Sequence, residues 1–495
     1  MSIISEKIRN AFPDLAVMKS AANKSLFEGR NLPSFVKDYI VCKYADEKGI
    51  ADREQVAAYL EQKMPDNIVT IKNRMLTGEQ VNVTVRFIVK SDLATGRTTF
   101  SVPDAQITNN AYIAPALLEE FKDELVDGEQ WGNITLNYVE PSGKKSGYIE
   151  MVGYRSFEPY KKVDFDYYFS AREQFTVEEW LDMLIATMEY NPDSFDTVEE
   201  KMEFATRLLP LVEPRLNMIE LGPKGTGKSY IYNNISKHVW LLSGGKTSRA
   251  KMFYNKSTKQ FGLVKNHDAV IIDEISTFGF SDPDEMQSIL KGYLEAGKAT
   301  VDNVLFMSDC GICLTGNIPL TSDKQPVNSN YFQDLPDMFQ ESATMDRFHC
   351  FIEGWKLPRL EVGSILEGWT LNAEYFSCIM HQLRTAIEYD ALFDQLVDYD
   401  NSCDLRDLKA VRKVTAAYAK LLFPHIKSLS LLSKEDAALF PQYYEKYCLT
   451  PAIYRRSIIR QQCHLIDKEY ATEMPEFRMK TIDTNVSETS TEPIG

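Results

Sequence analysis

One eight-residue stretch constrains this chain more than any other. Gly222, Pro223, Lys224, Gly225, Thr226, Gly227, Lys228 and Ser229 satisfy the pattern G-x-x-x-x-G-K-[ST]. The apolar run Leu216-Asn-Met-Ile-Glu-Leu221 before it reads as a buried strand, and Tyr230 onward continues as a helix. Strand, glycine loop and helix in that order form a phosphate cradle. Glycines let backbone N–H groups wrap an anion, and the start of a helix adds positive potential. Lys228 would neutralise the β- and γ-phosphates of ATP, and the Ser229 hydroxyl would ligate Mg²⁺, with Tyr230 closing the nucleotide-binding run.

Two further strands end in the residues such a site needs. Asp268-Ala-Val-Ile-Ile-Asp273-Glu274 is apolar until its last two positions. Asp273 at the strand end can hold the Mg²⁺ shell, and Glu274 can orient and deprotonate an attacking water. Ile312-Cys-Leu-Thr-Gly-Asn317 ends in an amide. On a parallel sheet its carboxyl end falls at the same crevice, where Asn317 could sense the γ-phosphate. A turn-forming Gly-Asn is the plain alternative.

These motifs, followed by Met345-Asp-Arg347-Phe-His-Cys-Phe-Ile, resemble the AAA+ domains of Lon proteases and minichromosome-maintenance helicases. The resemblance implies that Arg347 reaches the γ-phosphate held by a neighbouring subunit, with a surface salt-bridge arginine as the plain alternative. It also implies a helical lid whose sensor arginine opens the helix after Asp404, and Arg406 fits that position better than Arg412. Leu-Pro-Ser-Phe-Val near the N-terminus, Ser243-Gly-Gly-Lys246, Leu314-Thr-Gly-Asn-Ile and Asp-Arg-Phe-His-Cys extend the likeness. Together they resemble the BrxL family, the Lon-related ATPases of BREX phage-defence systems, over roughly residues 5–430. The family implies ATP-driven rings that bind DNA. Its members carry a C-terminal domain similar to the Lon peptidase. Too few residues follow Lys427 for that domain, and no Ser–Lys dyad is evident, so no protease activity is expected.

The rest of the sequence is consistent with such a protein. At 495 residues the chain exceeds one core. Residues 1–65 carry apolar positions at helical spacing, and 66–160 shift to alternation, as in Val81, Val83, Val85, Phe87 and Val89. That predicts a helical segment followed by a small OB-like β-barrel. Thr176-Val-Glu-Glu179 is a capping box. The expected order continues with an α/β nucleotide-binding unit over 161–365, a helical lid over 366–430, a weakly patterned helical extension over 431–480 and a disordered tail over 481–495. No apolar run approaches the roughly 18–20 residues a membrane span needs, and the N-terminus lacks a signal architecture, which points to the cytoplasm and to no membrane partner. Eight scattered cysteines exclude a disulfide framework, and the lone Cys310-Gly-Ile-Cys313 reads as ordinary buried thiols.

A net charge of −16 argues against a wholly nucleic-acid-binding surface but leaves room for a local path. Between Gly244 and His267 lie Lys246, Arg249, Lys251, Lys256, Lys259 and Lys265 with no acid among them, and Phe253 and Tyr254 could add base stacking. A solvated basic face or a subunit interface is the equal alternative. Lys144 and Lys145 at a hairpin tip, and Lys298 on an insertion before the Asn317 strand, are further candidates. Phe278 and Phe280 are either a pore element or core. The expectation is a hexamer-like ring of identical subunits that hydrolyses ATP to move on or remodel double-stranded DNA, alongside other phage-defence proteins. The rivals are a replicative helicase of a phage or mobile element, and a protease-less unfoldase or scaffold.

Overall fold

The computed structural model describes residues 3–30, 32–64, 68–92, 97–121, 124–125, 128–143, 146–160, 162–256 and 260–481. Its centre is a five-stranded parallel sheet: β1 (Met218–Leu221), β2 (Val239–Ser243), β3 (Ala269–Asp273), β4 (Gly311–Gly316) and β5 (Cys350–Glu353). The spatial order is β5-β1-β4-β3-β2, with every pair parallel. Strands covered on both faces must be apolar on both, and β1, β3, β4 and β5 are buried throughout. Alternate residues serve two separate cores. Met218, Ile271, Cys313 and Ile352 point into one. Ile219, Val270, Ile272, Leu314 and Phe351 point into the other.

Five helices frame the sheet: α1 (Lys228–Asn234), α2 (Pro283–Ala296), α3 (Ala373–Leu383), α4 (Leu405–Leu422) and α5 (Thr450–Ile466). α3 and α4 belong to the first core, while Met286, Ile289 and Leu290 of α2 and Ile458, Ile459 and Cys463 of α5 belong to the second. The region beyond 430, weakly patterned in sequence, is therefore part of the packing around the central sheet. Its pattern is weak because α5 buries Arg455, Arg456 and Gln462 beside its apolar residues. Among the described residues no helix is long and apolar enough to cross a membrane.

Residues 81–156 close a barrel of five strands: Val81–Asp92, Arg97–Ser101, Ala111–Ile113, Gly128–Val139 and Tyr148–Ser156. Numbered in chain order, the strands lie around the barrel as first, second, third, fifth, fourth and back to the first, and only the third and fifth pair in parallel. With the helix Pro115–Glu120 between the third and fourth strands, this is the OB arrangement the alternation predicts. One element differs from the sequence reading. Residues Ile68–Leu76 form a helix where alternation was expected to begin, and its Ile71 and Met75, four apart, bury against the barrel.

The capping box forms as read, with Thr176 and Glu179 exchanging hydrogen bonds. Cys310 and Cys313 are buried free thiols, and burial pushes both upward in pKa. The N-terminal segment holds a strand not visible in the sequence: Ala16–Lys19 pairs antiparallel with Gly368–Leu371, stitching the start of the chain to the segment before α3. Lys144, Lys145, Lys259 and the tail from 482 lie outside the described residues.

Candidate nucleotide site

The parallel register brings three strand ends to one crevice. Gly316 lies beside Leu221, Ile272 beside Leu314, and Gly222 N–H donates to Gly316 O at 3.1 Å. The glycine loop leaves β1 at this point, with Gly225 at φ 87° and Gly227 at φ 82°, values that favour glycine. Gly222 is needed for a different reason. A Cβ there would stand 2.7 Å from the Gly354 backbone, so the chains leaving β1 and β5 pass too closely for any side chain at Gly222.

The loop is anchored from beneath by a buried ion pair. Arg207 and Glu220 are both fully buried and joined at 2.9 and 2.5 Å, and Arg207 Nη1 donates to Thr226 O at 2.8 Å. Lys228 folds back on the loop's own carbonyls, 3.3 Å from Gly222 O and 2.9 Å from Pro223 O. Burial lowers its pKa, with Glu220 and Asp273 opposing and Arg207 reinforcing the effect. A phosphate arriving in the cradle would replace those weak acceptors with charged ones.

The acidic half is equally ordered. Asp273 is 6% exposed, and its two oxygens are fully addressed. Ser229 Oγ donates to Oδ2 at 2.5 Å, while Thr315 Oγ1 and Glu274 N–H donate to Oδ1 at 2.7 and 2.9 Å. The Ser229 hydroxyl and the Asp273 carboxylate thus face each other across the site, the oxygen donor set a Mg²⁺ shell requires. Thr315 is a site residue the sequence reading missed, and its place in the Leu-Thr-Gly-Asn run beside Asn317 was the available signal. Glu274 is exposed and held at φ 52°, a left-handed conformation unusual for glutamate. That bend aims the chain away from β3 just where the carboxylate must leave the core. Asn317 follows Gly316 directly at the same crevice and is half-buried.

Two neighbours of the loop carried no sequence signal. A Cβ on Gly225 would lie 3.3 Å from Arg359 Nε, and one on Gly227 would lie 2.7 Å from the Tyr190 hydroxyl. Leu360 N–H also donates to Gly225 O at 2.9 Å, so residues 357–360 drape over the cradle and leave exposed Arg359 beside it. Tyr230 turns from the loop toward this side: its hydroxyl bonds Glu189 and its ring meets Tyr190 edge-on at 6.0 Å.

Comparison with known proteins accords with this geometry. A family profile described as "Lon-like protease BrxL-like, ATPase domain" matches residues 150–476, and one described as "BREX system Lon protease-like protein BrxL N-terminal" matches residues 10–138. The chain belongs to the BrxL family. A Lon-like protease BrxL of Escherichia coli O9:H4 (strain HS) is 28% identical over 459 residues, covering 90% of this chain and 62% of that protein. Another, of Bacillus cereus (strain H3081.97), is 30% identical over 421 residues, covering 83% and 61%. The chain therefore spans about three fifths of the length of these BrxL relatives.

Within this BrxL-type core the two expected arginines lie together, away from the cradle. Arg347 precedes Cys350, which pairs with Met218 at the amino end of β1, whereas the phosphate loop leaves its carboxyl end. Arg347 pairs with Glu295 at 3.1 Å and its Nη1 donates to Ala343 O, while its buried Nε has no hydrogen-bond acceptor among the described residues. Arg406 pairs with the same Glu295 oxygen at 3.1 Å and with Asp346 at 2.9 Å. Arg406, expected as the sensor arginine at the start of the lid helix, thus stands away from the phosphate cradle of its own chain. Carboxylates on α2 and before β5 hold it at the opposite end of the sheet. Asp346 is itself fixed from α5 by Arg456, which also donates to the Asp346 and Phe348 carbonyls at 2.9 and 2.8 Å.

The basic candidates divide. Lys246 and Lys251 are exposed and carry no ion pair among the described residues. Arg249 is tied to Glu285 at 2.6 Å and Asp302 at 2.9 Å, so acids distant in sequence neutralise it. Phe253 and Tyr254 are core residues, 0% and 8% exposed, which removes them as stacking platforms. Phe278 and Phe280 are core as well. Exposed Lys298 opens an antiparallel hairpin, Lys298–Val301 with Val304–Met307, whose tip residue Asp302 meets Arg249 and comes within 4.0 Å of Lys256. The basic segment and the hairpin are therefore neighbours.

Proposed function

We propose that this chain is an ATP hydrolase that works as a ring and uses hydrolysis to move along or remodel double-stranded DNA in BREX-type antiphage defence. The observation that carries the reading is the convergence of Lys228, Ser229, Asp273, Glu274 and Asn317 at the carboxyl ends of β1, β3 and β4. Mg²⁺ bound there with the nucleotide would supply charge neutralisation on the phosphates. The chain's own residues do the rest. Lys228 exchanges its carbonyl partners for phosphate oxygens. Glu274, flexed out of the strand, accepts the proton of the attacking water, and Asn317 holds that water in line.

The position of Arg347 supports a ring. Arginine can stabilise the developing charge strongly, by about 10³–10⁵ in rate in GTPases. Arg347, paired with Glu295 at the far end of the sheet from its own cradle, is placed to exchange that carboxylate for a neighbour's nucleotide. Arg406 beside it joins this acceptor surface. Lys246, Lys251 and Lys298, on adjacent elements, support a phosphate-binding path, and the OB-like barrel supports a nucleic-acid collar. Lys144 and Lys145 remain candidates from the sequence alone. Peptide-bond hydrolysis forms no part of this reading.

The test is the steady-state ATPase rate with and without double-stranded DNA at two salt concentrations. Stimulation that fades as salt rises supports the reading, because phosphate contacts release counterions. A rate indifferent to DNA at both salts overturns the DNA role in favour of an unfoldase or scaffold.

A further inference from the structure

At the amino end of the central sheet, three side chains from distant parts of the sequence face one another. His238 precedes β2, Asp268 precedes β3 and His381 lies in the last turn of α3. His381 Nδ1 stands 2.7 Å from Asp268 Oδ2. The His238 and His381 rings stack with centroids 4.0 Å apart and planes within 9°. One ligand atom of each residue lies within 4.8 Å of the other two, and no other group of metal-ligating side chains converges in this way among the described residues. The nucleotide reading uses none of the three.

We infer that His238, Asp268 and His381 bind one divalent transition-metal ion, zinc foremost, with water as the fourth ligand. Two imidazoles and a carboxylate are a nitrogen-and-oxygen set that suits zinc, whereas Mg²⁺ and Ca²⁺ favour oxygen alone. The residues border a cleft of about 410 Å³ that gives an ion and its water access. Tetrahedral zinc with bonds of about 2.0–2.1 Å keeps its ligand atoms about 3.3 Å apart. The close His381–Asp268 contact must open slightly and His381 must swing out of its stack on His238, because parallel rings cannot aim in-plane lone pairs at one ion; its 46% exposed side chain has room to turn.

Asp268 is well placed for this. Arg384 Nε holds its Oδ1 at 3.3 Å, which orients the carboxylate and leaves Oδ2 toward the histidines. The other cations of the cleft have partners of their own. Arg215 pairs with Asp309 at 3.3 Å, and Lys265 Nζ donates to Met307 O at 2.9 Å. The ion ties α3 to the entry points of β2 and β3, so its effect is to clamp the helical segment onto the sheet. Binding to the folded chain alone stabilises it by mass action.

The experiment uses the full chain without any histidine tag, stripped with a chelator and titrated calorimetrically with Zn²⁺. Cobalt is then substituted to read coordination geometry from its visible spectrum. We expect one Zn²⁺ per chain, a tetrahedral cobalt spectrum, and a thermal midpoint that rises with Zn²⁺. His381→Ala should weaken binding by more than the roughly 10–100-fold typical of changes to outer partners of a metal site. His238→Ala with His381→Ala should abolish it, while nucleotide binding by the same variants reports that they fold. Cys310→Ser, in the same cleft, should change nothing. Equal zinc binding by the wild type and the double-histidine variant overturns the site. Loss of binding in Cys310→Ser overturns the ligand assignment.

Discussion

The Arg207–Glu220 pair under the phosphate loop permits a prediction in which stability and ligand binding come apart. Both side chains are 0% exposed, and Arg207 also donates to Thr226 O at 2.8 Å. Arg207→Met keeps an apolar stem but strands the Glu220 carboxylate in the core. Removing one partner of a buried ion pair costs about 3–5 kcal/mol. For a cooperative unit of domain size, where 1 kcal/mol moves the midpoint by about 2–4 °C, the expected fall is about 6–20 °C. Adding Glu220→Leu removes the stranded charge, and replacing both partners by apolar groups is often neutral, so the double variant should melt within a few degrees of wild type. It still lacks the donor to Thr226 O. A charge-assisted hydrogen bond contributes about 1.5–3 kcal/mol, so affinity for a fluorescent ATP analogue with Mg²⁺ should stay about 10- to 150-fold weaker. Scanning fluorimetry and equilibrium titration read the two effects separately. A double variant that melts as low as Arg207→Met would falsify the stranded-carboxylate argument. One that binds nucleotide like wild type would show that Arg207 does not hold the loop.

Other expectations follow from the site. Lys228→Ala should abolish nucleotide binding, while Glu274→Gln should bind the nucleotide and turn over at least about a hundredfold more slowly, as for loss of a general base; retained turnover sinks that assignment. Arg359→Ala should weaken nucleotide affinity several-fold without lowering the thermal midpoint, since the side chain is exposed beside Gly225; an unchanged affinity removes it from the site. In mixed rings, Arg347→Ala subunits should recover hydrolysis only when an intact arginine comes from the adjacent subunit, so rescue requiring Arg347 on the same chain as the active Lys228 refutes the shared site.

Legibility in the sequence varied with the kind of interaction. The phosphate loop, Asp273–Glu274 and the amide after β4 were readable because each couples a local backbone requirement to a local residue choice. A left-handed turn favours glycine, and a strand buried on both faces must be apolar until it emerges. The barrel was readable for the same reason, through alternation in Val81–Val89. The helix Ile68–Leu76 was missed because its two core contacts, Ile71 and Met75, are too few to establish a helical period.

What the sequence by itself determined was thus the fold class and which residue types stand at the strand ends. Only the tertiary structure decided which charges meet. Arg249 looked free in an acid-poor window, yet Glu285 and Asp302 neutralise it. Arg406 was legible only as the arginine that opens the lid helix, and the fold sets it between Glu295 and Asp346. Arg359, Tyr190 and the His238–Asp268–His381 group lie in stretches with no motif. The reason is one of range. Backbone conformation is fixed by near neighbours in sequence, whereas an ion pair or a ligand cluster is fixed by whatever the packed cores bring within a few ångströms, and that pairing is written nowhere in local pattern.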